Sequence, residues 1–425
     1  MMDGFGGNST ANSNEALQVV NGPAGNAEMS VKRLARLRAA MVDMKVDWFF
    51  MRDTSSIAWL TAFDGVFDEE RAHAVLVGPE TADFHTDSRY AQACRIAGAG
   101  GPFEISDKAM NHGKWIAGVL KDRAASADDG SASADDHPAP ADDHPAPADD
   151  SASSGSASLG IERSMSLGEF RLLQKEIATT NLQIAIKETT NVATNLRAVK
   201  DPDEVARMRA AQAITDAAFS HIVSFMKPGM TEREVQIELE DYMIRHGAAG
   251  LAFASIVATG ADGASPHAIA DTTKLEAGQC VVLDFGARAQ GYCSDMTRTV
   301  FVGQPDARLA DAYKVLRQAN ESVEAYLHAG ITGAQAHQMA EDVLAAGGFG
   351  GKMGHALGHG VGIDIHESPV LAPRNTQPLE VGNVVTVEPG IYLDGDFGMR
   401  LEDFGVITER GFDVFTQSTH DMVII

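Results

Sequence analysis

Val281-Val282-Leu283-Asp284-Phe285-Gly286, followed by Gly291-Tyr292-Cys293-Ser294-Asp295-Met296-Thr297-Arg298-Thr299, is the stretch on which the reading of this chain turns. Apolar residues around a short polar break predict two antiparallel strands. A turn at Ala289-Gln290 sets Asp284 opposite Asp295. A second stretch repeats the design: Val384-Val385-Thr386-Val387-Glu388-Pro389-Gly390, the turn Asp394-Gly395-Asp396, then Met399-Arg400-Leu401-Glu402-Asp403. Its register sets Glu388 opposite Glu402. Facing carboxylates repel unless a cation sits between them. One such pair alone reads as a solvated acidic face, but two in strands otherwise built of Val, Leu and Phe point to a shared buried site.

Between the hairpins runs Gly354-His355-Ala356-Leu357-Gly358-His359-Gly360-Val361-Gly362-Ile363-Asp364-Ile365-His366-Glu367. Its glycines argue against a helix and predict a backbone packed closely against something else. A lone histidine is usually structural; three in twelve residues, glycine-flanked and between carboxylate hairpins, favour a site. Four carboxylates and one imidazole form an oxygen-rich set suited to Mn²⁺, Co²⁺ or Zn²⁺. Charge counting favours two divalent ions over one. Two ions about 3.5 Å apart can lower the pKa of a shared water and polarise a carbonyl together.

Working outward, Asp201-Pro202-Asp203-Glu204 opens an amphipathic helix expected to reach about Met226, with an acidic cap and proline in the first turn. Thr231 with Glu234 opens a second, expected to stop at Gly247. A hundred residues later the arrangement recurs, with a helix from Ala307 to Gly330 and another that opens at Gly330-Ile331-Thr332 and ends near Gly347. The second half therefore reads as two copies of one helix-and-hairpin unit, with the site between them. Upstream, the apolar bursts Trp48–Met51, Ile57–Leu60 and Ala74–Val77 alternate with helical patterns, which predicts an α/β domain with no catalytic residues of its own.

Two segments lack any periodic apolar pattern. Residues 1–27 are rich in Gly, Asn, Ser and Ala and read as a disordered leader. Residues 124–157 contain Ala134-Asp135-Asp136-His137-Pro138-Ala139-Pro140, repeated as residues 141–147, with no Lys or Arg; they read as a disordered acidic insertion rather than a metal-binding tail. With 425 residues, two domains are expected. The net charge of −25 excludes nucleic acid and anionic membranes as natural partners. Three scattered cysteines, Cys94, Cys280 and Cys293, form no disulfide framework and fit a reducing compartment. No apolar run is long enough to span a bilayer, and the start lacks a signal-peptide pattern, so a cytoplasmic protein is expected.

These motifs resemble the proline-specific branch of the pita-bread metallopeptidases, the Xaa-Pro aminopeptidase and prolidase family. The likeness rests on Asp284, Asp295, His359 in Gly358-His359-Gly360-Val361-Gly362, Glu388 in Glu388-Pro389-Gly390-Ile391-Tyr392, and Glu402 in Arg400-Leu401-Glu402-Asp403. It covers residues 195–425 and extends to Ser56–Phe63 and Thr86–Tyr90, which resemble that branch's creatinase-like domain. The resemblance implies an α/β N-terminal creatinase-like domain over 28–195 and an α+β pita-bread catalytic domain over 196–425 with an internal pseudo-twofold repeat. It implies two divalent ions held by Asp284, Asp295, His359, Glu388 and Glu402, and hydrolysis of the bond between an N-terminal residue and proline in a peptide or dipeptide. Glu388 would also shuttle a proton, His267, His355 and His366 would face the substrate, and Arg400 would orient the bridging carboxylates. A homodimer is implied as well. Gly263-Ala264-Ser265-Pro266-His267 departs from the family's usual wording before its histidine, which leaves the shape of that loop open. A methionine aminopeptidase would share the five ligands without the added domain. A metal-free binding module would have lost some of them, and a creatinase-like hydrolase would work without this metal set.

Overall fold

The structure, a computed structural model, describes residues 23–68, 70–129 and 157–425. Most of the expected leader and insertion therefore lies outside the described residues. At their edges the chain is regular: Ala24–Gly25 pairs with Phe63–Asp64, and Asn26 caps helix α1 (Ala27–Met44). A helix runs on to Asp129, past the expected start of the insertion at 124, and a strand starts at its last expected residue, Ala157.

The N-terminal half is a six-stranded mixed sheet. Its strands in chain order are β1 (Trp48–Met51), β2 (Ala74–Val77), β3 (Ala82–His85), β4 (Glu104–Ser106), β5 (Ala157–Glu162) and β6 (Ile184–Thr189), arranged β4-β3-β2-β1-β5-β6. The apolar burst Ile57–Leu60 is not a strand. It lies in helix α2 (Thr54–Thr61), whose Asp53 cap accepts from the Ser56 N–H. A four-residue apolar run fits either element, and here the cap decides.

The second half begins with helices α3 (Pro202–Phe225) and α4 (Glu232–Arg245), both opened by capping boxes, Asp201 with Glu204 and Thr231 with Glu234. Strands β7 (Ile256–Thr259), β8 (Cys280–Phe285) and β9 (Met296–Phe301) follow, in a sheet completed by Val423–Ile424. The element order then recurs with helices α5 (Ala307–Tyr326) and α6 (Gly333–Ala346), the latter capped by Thr332 with Gln335. The second sheet runs β11-β10-β12-β15-β16, from β10 (Gly358–Gly360), β11 (Glu367–Leu371), β12 (Val384–Val387), β15 (Asp403–Thr408) and β16 (Gly411–Val414); β13 (Gly390–Leu393) pairs with β14 (Phe397–Arg400) beside it. The first helix of this copy stops at Tyr326, short of the expected Gly330.

Register decides where the carboxylates fall. In the second hairpin Val387 pairs with Asp403 and Gly390 with Arg400, so the expected frame holds and Glu388 and Glu402 face each other between the two ladders. The first hairpin is offset by two residues. Its turn is Gln290-Gly291, at φ 50° and 81°, and Asp284 pairs with Thr297 rather than Asp295. A tight hairpin needs two positive φ values, and glycine supplies one of them without strain. Because side chains alternate with period two, a two-residue offset keeps both aspartates on the expected face.

Candidate metal centre

Each of the residues singled out above reaches one cavity of about 480 Å³: Asp284, Asp295, His355, His359, His366, Glu388, Arg400, Glu402 and His267 all line it. Asp284 comes from β8, Asp295 from the segment entering β9, and His359 from β10; Glu388 and Glu402 sit where β12 and β15 leave their ladder. The glycine-rich segment is not helical, as expected, and only Gly358–Gly360 within it forms a strand before β11 begins at Glu367. A Cβ at Gly358 would lie 2.1 Å from the Thr386 carbonyl oxygen, so only glycine lets β10 approach β12 this closely.

Asp295, His359 and Glu402 bring donor atoms within 4.8 Å of one another. The His359 Nε2 lies 3.5 Å from Asp295 Oδ2 and 3.4 Å from Glu388 Oε1. Burial lowers the His359 pKa to about 4, so the ring is neutral. Its Nδ1 lies 3.0 Å from the Gly360 carbonyl oxygen, so Nδ1 carries the proton and the Nε2 lone pair points at the carboxylates. Burial, followed by the charges of Asp284 and Glu388, raises the Asp295 pKa well above the carboxylate range. Glu402 is raised for similar reasons, burial first and then Asp295, and burial pushes Glu388 up to about 8. Asp284 Oδ1 is buried with no hydrogen-bond partner. A lone pair aimed at carboxylates, three carboxyls pushed up and an orphaned oxygen together describe a pocket short of positive charge. The donor set fits divalent cations.

One guanidinium, that of Arg400, is hydrogen-bonded to these carboxylates. Arg400 is buried, hydrogen-bonds Asp284 Oδ2, and reaches Thr297 Oγ1 at 3.0 Å and the Tyr392 hydroxyl at 2.7 Å. Tyr392 in turn lies 3.0 Å from His355 Nε2, while His355 Nδ1 lies 2.7 Å from the Ala356 carbonyl oxygen. Both nitrogens of His355 are therefore engaged. His267 and His366 have no hydrogen-bond partner among the described residues and stand exposed at the cavity, leaving their ring nitrogens available.

Four contributors were not singled out from the sequence. Thr297 Oγ1 donates to Glu402 Oε2 at 2.6 Å, and Thr386 Oγ1 donates to Glu388 Oε1 at 3.2 Å. Each threonine lies two residues from a proposed ligand, so strand alternation contains the signal. Tyr392 lay in a quoted motif without a role. Arg374, exposed on the cavity wall and without an ion pair or hydrogen bond among the described residues, had no local signal at all.

Comparison with known proteins gives the family. Residues 206–409 match metallopeptidase family M24, and residues 33–199 match the creatinase/prolidase N-terminal domain. This chain belongs to metallopeptidase family M24, with a creatinase-like domain preceding a pita-bread catalytic domain. That family membership implies divalent metal. Among its relatives, the uncharacterized peptidase YqhT of Bacillus subtilis is 35% identical over 394 residues, 92% of this chain and all of that protein. The structure of an Xaa-Pro dipeptidase from Bacillus anthracis superposes with a TM-score of 0.80 at 32% identity, covering 93% of this chain and all of that one. An X-Pro aminopeptidase from Thermotoga maritima superposes at 0.73 with 29% identity, covering 90% and 98%.

Proposed function

We propose that this chain is an Xaa-Pro metallopeptidase that hydrolyses the bond between an N-terminal residue and proline, with dipeptides as its preferred substrates. The observation that carries the reading is the convergence of four carboxylates and a neutral imidazole, short of positive charge, on one cavity. Asp284, Asp295, His359, Glu388 and Glu402 would hold two divalent ions, with Mn²⁺ the best match and Co²⁺ or Zn²⁺ as alternatives. When bound, such ions polarise the scissile carbonyl and lower the pKa of water.

The remaining work falls to the chain's own side chains. Glu388 has one oxygen, Oε1, held by Thr386, so Oε2 is the atom that accepts a proton and returns it to the leaving proline nitrogen. His267 and His366 offer ring N–H donors to the carbonyl oxygen as charge develops on it. Arg400 fixes Asp284 directly and Glu402 through Thr297. A bond to proline has no N–H, so a site that grips the carbonyl and the free amino terminus loses nothing by its absence.

Arg374 supports the dipeptide preference. It is a free guanidinium on the wall of a cavity otherwise rich in carboxylates, and a free proline carboxylate is the anion it suits. The buried, unpaired cysteines fit a cytoplasmic setting, and the homodimer is carried over from the family resemblance. Among the described residues no helix is long and apolar enough to cross a membrane.

The test is mass-spectrometric product analysis on Ala-Pro and Ala-Pro-Ala-Ala with Mn²⁺ supplied. Ala-Pro should be cleaved and the tetrapeptide should not. Arg374→Ala should raise the KM for Ala-Pro roughly 10- to 100-fold, as expected for one lost charge-assisted hydrogen bond. Equal cleavage of both substrates, with Arg374→Ala silent, would replace dipeptidase with aminopeptidase; cleavage of neither would end the reading.

A further inference from the structure

His366 reaches the cavity without a hydrogen bond of its own; its ring stands edge-on to His359 at 4.4 Å between centroids. Its placement is therefore inherited from the backbone on either side. That backbone is anchored by the next residue. Glu367 turns inward where His366 turns outward, and only 2% of its side chain is exposed. Glu367 Oε1 accepts from Arg197 and from the Asp364 N–H at 3.0 Å, and Oε2 accepts from Lys200 Nζ at 2.9 Å. Arg197 and Lys200 are buried as deeply, with 3% and 1% of their side chains exposed. Gly362 closes the loop over this carboxylate, and a Cβ there would lie 2.5 Å from it.

The cluster continues into the N-terminal domain. Arg197 also donates to Asp364 Oδ2 at 2.6 Å and to Ser56 Oγ at 3.3 Å, with Asp53 at 3.5 Å. Ser55, in the first turn of α2, donates to Asp364 Oδ1 at 2.6 Å. Ile363 packs against the core of the N-terminal domain. On the other side, Arg288 reaches the Ile363 carbonyl oxygen at 3.1 Å and the Cys293 N–H reaches that of Gly362 at 2.8 Å, two residues before Asp295. The loop that ends in His366 is thus held between α2 and the strand leading to the metal centre. Buried Glu367 lies between the two buried cations, Arg197 and Lys200, while Asp364 and Asp53, both partly exposed, meet Arg197 alone.

We propose that Arg197, Asp364 and Glu367 are positioning residues: their ion cluster fixes the Val361–Glu367 loop so that His366 stays presented to the substrate, and through Ser55 and Ser56 it makes the N-terminal domain part of the catalytic geometry within one chain. The role assigned to His366 rests on the peptidase reading above; the mechanical coupling does not. Arg197, Asp364 and Glu367 make no hydrogen bond or ion pair with the ligand side chains among the described residues, so metal content is a readout separate from their effect on His366. A purely structural cluster would act through stability alone. A positioning cluster acts on turnover even where stability is restored.

Two variants separate these roles. Arg197→Gln leaves Glu367 with Lys200 alone and takes the cation from Asp364 and Asp53, and should lower both the melting temperature and kcat. Arg197→Gln combined with Asp364→Asn keeps the buried pair of Lys200 and Glu367 and leaves only the solvent-exposed Asp53 without its cation, but lacks the guanidinium fork that spans Ser56, Asp364 and Glu367. For this double variant we expect a melting temperature near wild type, wild-type Mn²⁺ content by elemental analysis, and kcat on Ala-Pro still about tenfold down. The ¹⁵N imidazole resonances of His366, assigned with His366→Gln, should shift or broaden in both variants with no substrate present. Recovery of kcat together with stability, or an unchanged His366 signal, overturns the proposal. A wild-type protein inactive on both Ala-Pro and Ala-Pro-Ala-Ala with a His366 signal that responds to Arg197→Gln would sink the peptidase reading and leave the coupling standing.

Discussion

Glu367 and the carboxyls of the metal centre are buried alike, yet they are perturbed in opposite directions. Burial works against the Glu367 charge, but Lys200 and Arg197 overcome it and hold its pKa at about 2. Asp295, Glu388 and Glu402 meet the same burial with other acids as neighbours and one shared guanidinium, and all three are raised. The first environment is complete as folded. The second is one that only added cations would balance, and that difference separates a structural ion cluster from a site built to receive a ligand.

The largest expected effect lies on the unbalanced side. Asp295→Ala and His359→Ala should take Ala-Pro hydrolysis below detection in a protein that remains folded by circular dichroism. Glu388→Gln should cost roughly 10²–10⁴-fold in kcat, the usual worth of a positioned proton carrier. The same reasoning predicts an inverse effect on stability. In protein stripped of metal, Asp295→Asn should raise the melting temperature, since it removes one of the crowded charges. A stripped Asp295→Asn variant that melts below stripped wild type would show that the protein already balances these charges unaided.

On the balanced side the sign reverses. Glu367→Gln should destabilise the protein by roughly 3–5 kcal/mol in chemical denaturation, because it leaves buried cations uncompensated. The acid limb gives the same quantity by another route. The pKa of Glu367 is lowered on folding, so its contribution is fully present above its ordinary value of 4.5 and is lost as pH falls towards 2. This amounts to roughly 3 kcal/mol across that window. Comparing urea midpoints at pH 6 and pH 3, wild type should lose more stability than Glu367→Gln. Parallel losses would mean that Glu367 does not supply the acid sensitivity.

Much of this was legible before the fold was known, because it rests on alternation and spacing. Glu388 and Glu402 could be paired from Asp394-Gly395-Asp396, a turn with a strong signal, and the ladders on either side keep that frame. The first hairpin was misread by two residues because Gln290 takes a left-handed conformation that its side chain does not advertise. The error was harmless to the site, since a slip of two preserves the face. Ile57–Leu60 could not be told from a strand without recognising Asp53 as a cap. Arg197, Asp364 and Arg374 were beyond reach for a different reason. Their meaning lies in partners more than a hundred residues away, or in having none, and no local pattern records either.

The smallest expected effect concerns acids of a third kind. The tandem heptapeptides at 134–147 carry Asp135, Asp136, Asp142 and Asp143 without a Lys or Arg among them. On charge alone they resemble the metal centre, but no apolar residue larger than alanine or proline accompanies them, so nothing in the repeat drives burial. Unbalanced charge should matter only where water is excluded, since screening shortens its reach to about 10 Å in ordinary buffer. Removing both copies should therefore leave kcat and KM for Ala-Pro within about twofold. It should change stability by well under 1 kcal/mol, because shortening a long connection alters loop entropy only slightly. A larger change in KM at low salt that vanishes at 0.5 M NaCl would mean the repeat acts electrostatically on the cavity.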